Sequence, residues 1–105
     1  MVYGDILDIN SLKNAIKNCD TLYHVAGLVS TKKADYKKME DINIKGIVNV
    51  LTAALEAGVE KVVYTSTIGA IGTDPGGGIA NEDTPYNLEH LGIRYLNSKY
   101  YALVL

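Results

Sequence analysis

A tyrosine and a lysine four residues apart, Tyr95 and Lys99, are the residues of this chain best suited to proton chemistry. Residues i and i+4 share one face of a helix, so the Lys99 ammonium can stand beside the Tyr95 phenol. A cation there favours phenolate and draws a group that ordinarily titrates near pH ~10 toward the range of a general acid/base. The spacing decides nothing by itself: with 8 Tyr and 9 Lys in 105 positions, about 0.7 such pairs arise by chance. A solvated pair on a surface helix would look the same. Order gives it weight, because the hydroxyl cluster Thr65-Ser66-Thr67 comes first, then a long loop, then Tyr95-Leu96-Asn97-Ser98-Lys99. Two further clusters, Gly4-Asp5-Ile6 and His24-Val25-Ala26-Gly27, combine small residues with a titratable one. Small residues let a flat ligand approach the backbone closely, and hydroxyls can donate to a polar substrate. Each cluster also has an ordinary reading. Asp5 can simply stop a strand, His24 can be a packed core histidine, and Thr65, Ser66 and Thr67 can be plain strand formers.

The elements that would hold these residues follow from periodicity. Val2-Tyr3 is a strand-like stub ending at Gly4-Asp5. Ser11 is a candidate N-cap for a helix with Leu12, Ala15 and Ile16 on one stripe. Thr21 to Ala26 reads as a buried strand closed by Gly27, and a polar, lysine-rich stretch runs from Ser30 to Lys38. Met39, Ile42, Gly46, Val50, Ala53, Ala54 and Ala57 then recur at three and four residues, with Gly58 as the C-cap. Lys61 to Ser66 is a second buried strand, the stretch from Ile68 to about Gly92 reads as loop, and a last helix begins near Ile93. Strands alternating with helices predict an α/β fold built of βαβ units on a parallel sheet. Ligands in such sheets bind beyond the carboxyl ends of the strands, where the three clusters fall.

Composition narrows the classes further. The chain is 48% hydrophobic and 21% charged with a net charge of −2, which suits one globular domain and excludes a charge-driven nucleic-acid binder. No apolar run approaches the roughly 18 residues of a membrane span, and the N-terminus lacks the order of a signal peptide. The single cysteine, Cys19, excludes an internal disulfide framework and a multi-cysteine metal site and points to a reducing cytoplasm. Lys32-Lys33 and Lys37-Lys38 interleave with Asp35, Glu40 and Asp41, the pattern of a solvated helix start rather than of a phosphate site.

The clusters and their order resemble the extended short-chain dehydrogenases/reductases of the NAD-dependent epimerase/dehydratase superfamily. The nearest flavour is that of dihydroflavonol 4-reductase-like and 3β-hydroxysteroid dehydrogenase-like members. The resemblance runs through Gly4-Asp5-Ile6 with Asp8, Cys19-Asp20, Tyr23 to Gly27, Asn43-Ile44-Lys45-Gly46, Asn49-Val50-Leu51, Ala53 to Val59, Val62 to Thr67, and Tyr95-x-x-x-Lys99. It implies a Rossmann-like doubly wound sheet and NAD or NADP as cofactor. By this resemblance Tyr95 exchanges a proton with the substrate oxygen, while Lys99 lowers its pKa and hydrogen-bonds the nicotinamide ribose. Thr67 stands where the family has the second residue of a Ser-Ser pair, with Ser66 beside it. Asp5 would accept from the adenine amino group with Ile6 packed on the ring, Ala26 and Gly27 would line the dinucleotide, and Asn43 would fix the active-site helix or a water. The implied substrate is a small carbonyl, alcohol or nucleotide-sugar. The implied setting is cytoplasmic, without nucleic acid or membrane, as a homodimer in the full-length form.

The sequence departs from the family in two places. No Gly-x-x-Gly-x-x-Gly turn opens a helix; Gly76, Gly77 and Gly78 lie in the loop after the second strand run, lack the spacing and read as a flexible substrate-side loop. Leu103 also follows Ala102 where the family often has Glu. The expectation is therefore that residues 1–105 are a partial NAD(P)-binding domain without its glycine-motif unit and substrate domain. Its strands would be numbers 3, 4 and 5 of an order 3-2-1-4-5. Strand 3 would then either collapse onto the edge of strand 4 or stay frayed. Three readings stand: a piece of an active oxidoreductase or epimerase, a non-catalytic dinucleotide-binding or scaffold module, and an inactive truncated product. The retained Thr67, Tyr95 and Lys99 favour ancestry in an active enzyme, though one without turnover by itself.

Overall fold

Asp8 starts the first helix. In the computed structural model, which describes residues 1–105, α1 spans Ile9–Ile16, and the Asp8 carboxylate accepts from Asn10 N at 3.0 Å and Ser11 N at 3.4 Å. Ser11, expected as the cap, lies inside the first turn instead. Its hydroxyl donates back to the carbonyls of Asp5 and Asp8 and accepts from Asp5 N. An aspartate at the N-cap also carries the negative charge that the helix start favours. Leu12 and Ile16 turn inward.

Two four-residue strands follow, β1 (Thr21–His24) and β2 (Lys61–Tyr64), paired in parallel with Thr21 opposite Lys61 and His24 opposite Tyr64. Both end two residues before the expected Ala26 and Ser66; the last rung is Thr65 N to His24 O at 3.0 Å. Nor are they buried on both faces. Leu22 packs against the core formed by Leu12, Ile16, Val50 and Ala53, whereas Tyr23 is 69% exposed. Successive side chains alternate across a sheet, and only the Leu22 side carries helices. Val2 and Tyr3, expected as a strand, pair with nothing and stay exposed.

The long helix runs from Tyr36 to Glu56 in three parts. These are α2 (Tyr36–Glu40), a π-helical turn over Asp41–Lys45, and α3 (Gly46–Glu56). Met39, Ile47, Val50, Ala53 and Ala54 are buried along one side, as the three-and-four spacing requires. The π turn shifts the register, so Asn43 takes the buried position beside the expected Ile42. Gly58 ends the run at φ 72°, with Val59 N bonded to Ala54 O at 3.0 Å, a backbone that favours glycine. At the other end the lysines are solvated: Asp41 pairs with Lys37 at 2.6 Å and Lys45 at 2.8 Å.

The stretch after β2 is loop with two 3₁₀ turns, Ile68–Ala70 and Glu89–Leu91. Its ends are clipped together by Asn87, which accepts from Thr73 N and donates to Thr73 O. The Gly76–Gly78 turn wraps the Asp74 carboxylate, which accepts from Gly76 N and Gly78 N. α4 (Arg94–Leu103) follows Gly92, close to its expected start. No helix is long and apolar enough to cross a membrane.

Candidate active site

The carboxyl ends of β1 and β2 and the inner face of α4 meet at Lys99. Its side chain is buried, 5% exposed, and its ammonium donates to the Thr65 carbonyl at 2.7 Å, just past the end of β2. The same nitrogen lies 4.3 Å from the centre of the Tyr64 ring. Burial holds the Lys99 pKa below the usual lysine range, while the nearby Tyr95 phenol pulls the other way. Tyr95 lies one helical turn before Lys99 on α4. His24 is a core residue, 4% exposed and stacked on Tyr64 with ring centres 5.5 Å apart. Burial first, and the Lys99 charge second, push its pKa down.

A second network fixes the helix that carries Tyr95. The Asn43 side chain accepts from Leu28 N at 2.8 Å and donates both to Leu28 O at 3.0 Å and to Ser98 Oγ at 2.9 Å. Ser98 Oγ in turn donates to the Tyr95 carbonyl at 2.8 Å. One amide therefore ties the backbone just after Ala26-Gly27 to the turn of α4 between Tyr95 and Lys99. Ser98 carries no mark in the sequence analysis. The signal that could have found it is a serine inside a helix, whose hydroxyl bonds a preceding carbonyl when it faces inward.

The other expected residues are placed less uniformly. Ala26 and Gly27 are exposed beyond β1. Asp5 is exposed, its carboxylate accepting from Leu7 N at 2.8 Å. Ile6 turns inward against the core and Gly46, and its carbonyl accepts from Asn49 Nδ2 at 2.9 Å. Ser66 Oγ is buried and, like the Tyr64 hydroxyl, finds no partner within the protein. Thr67 Oγ1 accepts a long 3.4 Å bond from Gly69 N. Tyr95 lines a cleft of about 300 Å³ with Ser30, Thr31, Tyr36 and Arg94. Ser66 and Thr67 line a separate one of about 350 Å³ with Tyr86 and Tyr100. Tyr95 and Thr67 thus line separate clefts, and Lys99 lines neither of them.

Known proteins share this arrangement of elements. The 3-beta hydroxysteroid dehydrogenase/isomerase family matches over residues 1–104. The chain belongs to that family. Its solved neighbours are Rossmann-like extended short-chain dehydrogenases and dehydratases, as the motif order implied. Among relatives, the 2-alkyl-3-oxoalkanoate reductase of Shewanella oneidensis is 36% identical over 104 residues, which is 97% of this chain and 24% of that protein. The crystal structure of gox2253 superposes with a TM-score of 0.83 at 37% identity, covering 96% of this chain and 31% of that one. DesIV, the dTDP-glucose 4,6-dehydratase of Streptomyces venezuelae, was solved with NAD and TYD bound. It superposes with a TM-score of 0.81 at 26% identity over 96% of this chain and 31% of its own. The family member described here thus spans about a quarter to a third of the length of these relatives.

NAD or NADPH accompanies several solved members of this fold family, and the donor set here suits such a group. Ala26 and Gly27 offer bare backbone at a strand end, and Lys99 commits one of its three N–H donors to Thr65.

Proposed function

We propose that these residues are the middle of the nucleotide-binding domain of an NAD(P)-dependent oxidoreductase, epimerase or dehydratase. Its substrate would be a small carbonyl or alcohol, or a nucleotide-sugar. In this reading β1 and β2 are the fourth and fifth strands of a doubly wound sheet, and residues 2–3 belong to the third. The bound dinucleotide supplies or accepts hydride. In the reducing direction Tyr95 gives its proton to the substrate oxygen as the carbon gains hydride. The Lys99 ammonium stabilises the phenolate that is left. Thr67 donates a second hydrogen bond to the same oxygen. Its bond from Gly69 N occupies only an oxygen lone pair, so the Thr67 O–H hydrogen is still there to donate. Asp5 and Ile6 would hold the adenine end, Ala26 and Gly27 would line the dinucleotide, and Ser66 would support its nicotinamide end. The proposal includes a cytoplasmic setting and a homodimer in the full-length form.

The observation that carries this reading is the Lys99–Thr65 bond of 2.7 Å, which pins the Lys99 ammonium to the carboxyl end of the sheet. The separate cleft of Thr67 favours a second reading, a module that holds the dinucleotide without chemistry. One experiment separates them: residues 1–105 replace the matching quarter of the Shewanella reductase, and NAD(P)H oxidation by that chimera is followed. The oxidoreductase reading expects turnover that falls by about 10²- to 10⁴-fold in Tyr95→Phe, the usual worth of a general acid. A folded chimera indifferent to Tyr95→Phe overturns it. The 105-residue chain alone is expected to show no turnover, because it has no glycine turn to hold the pyrophosphate near the reacting carbon.

A further inference from the structure

Tyr64 is half-buried under the candidate site, yet nothing in the chemistry above uses it. Its ring lies 4.3 Å below the Lys99 ammonium, and its neighbour in sequence supplies the carbonyl that accepts from the same nitrogen at 2.7 Å. His24, opposite Tyr64 in the sheet register, stacks on the ring. The Tyr64 hydroxyl, by contrast, bonds nothing in the protein. A tyrosine whose hydroxyl is idle while its ring faces a buried cation is working through the ring. An aromatic face attracts a cation electrostatically, and most strongly where water is excluded, as it is around a lysine only 5% exposed.

We propose that Tyr64 is a positioning residue for Lys99: its ring face and the Thr65 carbonyl together clamp the ammonium at the strand end and so aim it at Tyr95. The link to Tyr95 rests on the function proposed above, whereas the clamp does not. His24 takes part by keeping the ring from tilting. It is a neutral neighbour by virtue of its burial, so it does not compete with Lys99 for the same ring. Burial also keeps the Tyr64 phenol un-ionised, which leaves the ring a face of ordinary polarity.

The test is NMR of the side-chain resonances of Lys99 in the 105-residue chain. A methylene beside a ring face is shifted upfield, so the Lys99 ε-protons should stand apart from those of the other eight lysines. Tyr64→Leu should return them to the common position and speed exchange of the Lys99 ammonium protons with water. Tyr64→Phe should restore both, since the ring is what matters. Lys99 resonances in the common position in the unaltered chain overturn the clamp, and so does a Phe variant that behaves like Leu. Should the Leu variant fail to fold, the unaltered chain and the Phe variant still decide. In the chimera, Tyr64→Leu should lower kcat with KM little changed, and Tyr64→Phe should recover it. A chimera silent in every form counts against the oxidoreductase reading, while the NMR shift continues to judge the clamp.

Discussion

At the scale of residues, Asn43 is the joint of the site. Its amide satisfies both backbone groups of Leu28 and the Ser98 hydroxyl at 3% exposure. Asn43→Ala would leave both backbone groups of half-buried Leu28 without this partner and Ser98 with the Tyr95 carbonyl alone, at about 1–3 kcal/mol. A drop of that size in urea-unfolding stability is expected, together with chemical-shift changes at residues 28 and 95–99; an unchanged stability would show that the network is not holding the helix. His24 gives a pH dependence. Its folded pKa lies below the ordinary 6.5, so the unfolded chain binds the proton more readily. Its contribution is complete above about pH 6.5 and is lost as pH falls toward the folded value. Stability measured at pH 7.5 and 5.5 should show this fall, and His24→Gln should flatten it. The core role of His24 was legible because an apolar strand run surrounds it. Ser98 was not legible, because an inward-facing serine differs from a solvated one only through its tertiary partner.

At the scale of elements, the long helix and its end at Gly58 were readable, since buried positions at three and four residues and a left-handed glycine are local facts. The π turn over Asp41–Lys45 was not: it answers to Asn43 reaching Leu28, a contact of fifteen residues' separation. The strand ends were misjudged for a related reason. Val25, Ala26, Thr65 and Ser66 have strand-like character, but the ladder ends at the rung from Thr65 N to His24 O, and past it the chain must turn to Asn43 and Lys99. Asp8 displaced Ser11 as cap because the Ser11 hydroxyl is drawn back into the 5–8 turn. The loop after β2 carries its own prediction. A Cβ at Gly72 would overlap the carbonyl of Pro85, a backbone atom that cannot swing aside. Gly72→Ala should part the strands of the loop that Asn87 clips, at a cost of about 1–3 kcal/mol. Loss of amide protection at Thr73 would register it, and protection equal to the parent chain would contradict it.

At the scale of the whole molecule, much surface lies open. The chain exposes 7125 Å², against about 5,800 Å² for a compact monomer of this mass. Only 15 of 105 residues are buried, divided between the core of Leu12, Ile16, Val50 and Ala53 and a second group that includes Ala70 and, on α4, Ser98, Lys99 and Ala102. Marginal stability follows, with uneven amide exchange: residues 1–4 at the unfolded rate and α3, β1 and β2 slowest. Uniform, cooperative protection across residues 2–65 would contradict this. The family and the parallel sheet were legible because residues 1–105 keep both the motif order and the strand–helix rhythm. The proposed meeting of Thr67 with Tyr95 depends on how a loop of more than twenty residues is folded over a bound substrate, and the two residues line separate clefts in the chain alone.

That meeting is the centre of the account, and a crystal structure of the chimera with NAD and an unreactive carbonyl analogue tests it most directly. The account predicts the Tyr95 and Thr67 hydroxyls on one and the same ligand oxygen, each at about 2.6–3.2 Å, with the Lys99 ammonium still on the Thr65 carbonyl. Hydroxyls that stay in their separate clefts while the ligand oxygen is held by other groups would contradict it.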